Sequence, residues 1–72
     1  MPTDHDAVGR LFARLTSELE DSCEVAVEGQ NPRLPLDGRA VLALRLRGRI
    51  CRAVLTIDKI DRAIVRLRGA DQ

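Results

Sequence analysis

Seventy-two residues, 44% hydrophobic and 32% charged, bound the chain to one small globular domain spanning 1–72. It is too short for a second core and too apolar for disorder. The net charge of only +1 gives no overall bias toward an acidic partner. The longest apolar run, Ala40 to Leu44, is far below the roughly 20 residues a membrane span needs. The acidic start, Met1 to Asp6, lacks the basic and apolar segments of a signal peptide, so a cytoplasmic location is expected. Phe12 is the sole aromatic residue, which leaves the core to Leu, Val, Ile and Ala, with dimerisation as one ordinary route to added stability.

Val8, Leu11, Phe12, Leu15 and Leu19 recur at the spacing of one helical stripe and predict an amphipathic helix over about residues 5–20. Thr3 or Asp4 can cap it, and Phe12 is expected to anchor the core from it. Cys23 to Glu28 alternates apolar and polar side chains, which reads as a half-buried strand. Residues 29–38, with two prolines and two glycines, read as a loop tacked down by Leu34 and Leu36.

Arg39 to Ile57 reads as a β-hairpin turning at Arg47-Gly48. A two-residue turn sets Leu44 opposite Cys51 and Leu42 opposite Ala53, making one face apolar. Val41, Ile50 and Val54 then lie among arginines on the other face and call for a cover. Over 58–69 the end signals favour a short helix capped by Asp58 and closed by Gly69; a fourth strand is the alternative. The expected fold class is therefore α+β: an N-terminal helix packed on a three-stranded antiparallel sheet, ending in a short helix. Helix, three strands, helix is similar to the layout of double-stranded RNA-binding domains, but the lysine-rich start of their last helix has no counterpart in Thr56 to Asp61.

Nothing here predicts an enzyme, a metal site or a cofactor. His5, flanked by Asp4 and Asp6, lacks the further ligands zinc would need, and Cys23 and Cys51 are expected to be reduced, buried small hydrophobes. The feature with functional weight is charge sorting: residues 1–38 carry −5 and residues 39–72 carry +6. Arg39, Arg45, Arg47, Arg49, Arg52, Arg62 and Arg66 are the candidate partner-binding residues. Their roles would be pairing with acids of the first half or of a second chain, contact with an acidic protein, or contact with phosphates. No aromatic residue follows position 38 to stack on a base. The expected function is a small protein-interaction or adaptor module, with a homodimer among its forms; the alternative is nucleic-acid binding through the arginines.

Overall fold

Mostly apolar positions of both halves fall into a repeat alternating three- and four-residue steps, the signature of helices wound on one another. In the first half the repeat is Val8, Leu11, Leu15, Glu18, Ser22, Val25; in the second it is Leu42, Leu46, Arg49, Ala53, Thr56, Ile60, Ala63, Leu67. Each of these positions is buried or half-buried in the structure. The computed structural model describes residues 4–71 as two α-helices, α1 (Asp4–Glu28, 25 residues) and α2 (Leu36–Asp71, 36 residues), joined by residues 29–35. They pack antiparallel as a hairpin measuring 56 × 18 × 14 Å.

The connection is built on Asn31. Pro32 has no amide proton and disfavours helical geometry at the residue before it, which stops α1. The Arg33 amide donates to Asn31 Oδ1 (3.0 Å), the Leu34 amide to the Asn31 carbonyl (3.1 Å), and Arg39 Nη2 to the same carbonyl (2.9 Å). The Arg39 amide then donates to the Pro35 carbonyl (3.0 Å), starting α2. Half-buried Leu34 lies on this first turn because Gly38 has no side chain: a Cβ there would sit 3.0 Å from Leu34 Cδ1.

The α+β expectation is overturned: among the described residues there is no strand and no sheet. The N-terminal helix continues past residue 20 to Glu28, so the supposed strand 23–28 is its last two turns. The supposed hairpin 39–57 and the segment 58–69 are one continuous helix, with Gly48 in its interior and open space around it. The likeness in layout to RNA-binding domains goes with the sheet.

The physical reason lies in the seam. Four of its positions are polar, Glu18, Ser22, Arg49 and Thr56, which interrupts the stripe that would have announced two long helices. Leu alternates with Ala43, Arg45 and Arg47 over 42–47, but Leu, Ala and Arg are all strong helix formers, and local propensity sides with the helix. Leu42 and Ala53 are buried, though against α1 and not against each other as strand partners; Leu44 is 71% exposed. Phe12 is 51% exposed and does not anchor the core. Cys23 and Cys51 are free thiols, as expected, but both are exposed.

Among the described residues the buried apolar side chains are Leu42, Ala53 and Ile60. Ile60→Ala is expected to cost about 2–5 kcal/mol, a large fraction of so small a domain's stability, whereas Leu36→Ala, at an exposed position, should stay within about 0.5 kcal/mol. Thermal melts followed by circular dichroism check the contrast, and equal melts would place the core elsewhere.

Candidate interaction surface

Inside the hairpin the two helices are joined by a polar contact. The Thr56 hydroxyl donates to Glu18 Oε1 at 2.6 Å, a short charge-assisted bond, and Thr56 is 2% exposed. Glu18 Oε2 lies 3.7 Å from Arg14 Nε one turn back, and the Ser22 hydroxyl, also buried, donates to the Glu18 carbonyl at 2.9 Å. Half-buried Arg49 lies beside this group, sharing a small groove with Glu18, Asp21 and Arg52.

On either side of the seam the hairpin differs. Ala26 and Ala43 flank a groove on one side near the turn. One seven-residue step along each helix from there brings Leu19 and Ile50, and another brings Phe12 and Ile57, with Ile64 beyond. Ala13, Cys23, Cys51 and Val54 lie toward this row, which makes an apolar strip on this side of the molecule with Arg47 at its edge. Leu19, Ile50 and Ile57 are 48%, 42% and 42% exposed.

The opposite side is charged. Arg45, Arg52, Lys59 and Arg66 recur every seven residues along α2, and Arg14, Asp21 and Glu28 do so along α1. Asp21 with Arg52, and Ala7 with Arg66, line shared grooves on this side. The expected arginines are thus not one patch. Arg45, Arg52 and Arg66 form the row, with Arg62 beside it; Arg49 is in the seam; Arg47 projects on the apolar side; Arg39 binds the connecting loop. Arg45 and Arg52 make no ion pair within 4 Å among the described residues, where Arg14 with Glu18 is such a pair. Val41 falls on the charged side, apart from Ile50 and Val54.

Sequence reasoning missed the apolar row of Phe12, Leu19, Ile50 and Ile57. Its signal was present as the seven-residue recurrences 12, 19, 26 and 43, 50, 57, 64, which become visible once both halves are read as helices. Among the described residues no three His, Cys, Asp or Glu side chains are grouped to hold a metal ion, and no helix is long and apolar enough to cross a membrane. No protein-family model, curated protein or solved structure shows a significant match to the chain.

Placing a carboxylate at position 49 would crowd Glu18 and Asp21. Arg49→Glu should therefore lower stability by on the order of 1 kcal/mol or more, while Arg47→Glu, on the open side, should leave the urea midpoint of the same preparation nearly unchanged. Equal effects would show that Arg49 has no special relation to the seam.

Proposed function

We propose that the chain is a non-enzymatic interaction module that binds a helical partner along its apolar side. The observation that carries this reading is the row of Phe12, Leu19, Ile50 and Ile57, about half exposed, set against three buried apolar side chains among the described residues. A contiguous apolar side of this kind on a small domain marks an association surface, and helix packing on such a surface follows anchors spaced along one stripe. The helices of the hairpin supply the anchors in two parallel rows, and the groove between them takes the side chains of the partner.

A second reading, nucleic-acid binding, is favoured by one feature: the regular row of Arg45, Arg52, Lys59 and Arg66 on the opposite side. Arginines spaced along a rigid helix can contact successive phosphates, with an affinity that falls steeply as salt rises.

Paired variants separate the readings. Leu19→Glu with Ile57→Glu should abolish association, read as a drop in sedimenting mass, while Arg45→Glu with Arg52→Glu should leave it intact. The reverse pattern, with a salt-sensitive duplex affinity lost only in the arginine variant, would establish the second reading and overturn the first.

A further inference from the structure

We propose that the occupant of the apolar side is a second copy of this chain, seated so that α1 of each copy lies against α2 of the other in a four-helix bundle. The inference rests on the interaction-module reading and names its partner.

Three observations carry it. The first is the size of the core. Among the described residues of two helices of 25 and 36 residues, the buried apolar side chains are Leu42, Ala53 and Ile60, beside the polar Ser22 and Thr56, and the other apolar seam positions are half-buried. So few buried apolar side chains offset little of the ordering entropy of two long helices. A second apolar layer is what the fold lacks. The outer apolar side chains supply it when two hairpins meet face to face.

The second is charge. Helix α1 carries seven carboxylates against Arg10 and Arg14, a formal −5, and α2 carries eight arginines and Lys59 against four aspartates, a formal +5. Two copies can stack face to face with like helices adjacent or with unlike helices adjacent. Like helices would set +5 against +5 and −5 against −5. Crossed stacking alternates the sign around the bundle, each acidic helix standing between two basic ones, and so selects the two-fold axis parallel to the helices.

The third is the match of side chains in that arrangement. A two-fold axis along the bundle keeps each level of one copy at the same level in the other. Ala26 and Ala43 flank one groove, so the levels above are Leu19 with Ile50 and Phe12 with Ile57. Crossed stacking then sets small on small near the turns, Leu19 on the partner copy's residue-50 position, and Phe12 on its residue-57 position. Each layer is closed by four apolar side chains, as in bundles with short loops.

Sedimentation of the chain over a wide concentration range should give twice the chain mass. Leu19→Lys and Ile50→Glu, prepared separately, should each lose the dimer because an unpaired charge is buried against an aliphatic side chain at two contacts. Mixed in equal amounts they should regain both the doubled mass and the helical circular dichroism, because one crossed contact then pairs the ammonium of one chain with the carboxylate of the other. This rescue is readable even where the single variants unfold. A chain that stays at single mass at every concentration, yet still loses a heterologous association through Leu19→Glu with Ile57→Glu, overturns the second copy and leaves the module reading standing. A wild-type dimer whose two variants fail to rescue each other overturns the crossed arrangement.

Discussion

The hydrogen bond from Thr56 to Glu18 is the contact on which the register of the hairpin depends. The aliphatic rungs of the seam are interchangeable: sliding α2 by seven residues would exchange one Leu, Ile or Ala for another at little cost. Thr56 and Glu18 do not allow the slide. At the observed level the hydroxyl meets a carboxylate at 2.6 Å. One repeat away in either direction it would lie against Leu11 or Val25, buried without that acceptor, at a cost of about 1–3 kcal/mol. A polar pair in an apolar seam thus contributes less to net stability than to uniqueness, the role such groups serve in coiled coils.

Register in turn determines the two sides of the molecule. With Glu18 level with Thr56, the seven-residue rows of α1 and α2 stand beside each other, apolar with apolar on one side and, on the other, the charged rows, where Asp21 shares a groove with Arg52. The short loop around Asn31 enforces the same alignment from the turn, since only the seven residues 29–35 separate α1 from α2. A slip would break up the surface of Phe12, Leu19, Ile50 and Ile57 before it unfolded either helix. Structure and proposed association therefore share one determinant, and under that proposal whatever covers the open side would add to the stability of so small a core.

Much of the fold was not legible in the sequence, for a reason visible residue by residue. The stripe of Val8, Leu11, Leu15 announced α1, and Pro32 with Asn31 announced the connection. Beyond Leu19 the seam passes through Ser22, and in α2 through Arg49 and Thr56, so the helical period is masked where it matters most. The alternation of Leu42, Leu44 and Leu46 with Ala43, Arg45 and Arg47 imitates a strand, yet Leu44 points to solvent while Leu42 and Leu46 face α1. The arginines were legible as a group but not as a surface, because helical geometry distributes them over different sides. The sorting of charge between the halves was plain from the sequence; what the structure adds is that each half is one helix, so that charge becomes a property of neighbouring rods.

A double-mutant cycle on Glu18→Ala and Thr56→Val, measured by urea unfolding at one fixed chain concentration, tests the central contact most directly. The two side chains act as a unit in this account, so the coupling between the substitutions should be on the order of 1 kcal/mol or more, with the first substitution removing most of what the second would cost. Additivity within about 0.3–0.5 kcal/mol would contradict it and show that the register is held by the aliphatic rungs and the loop alone.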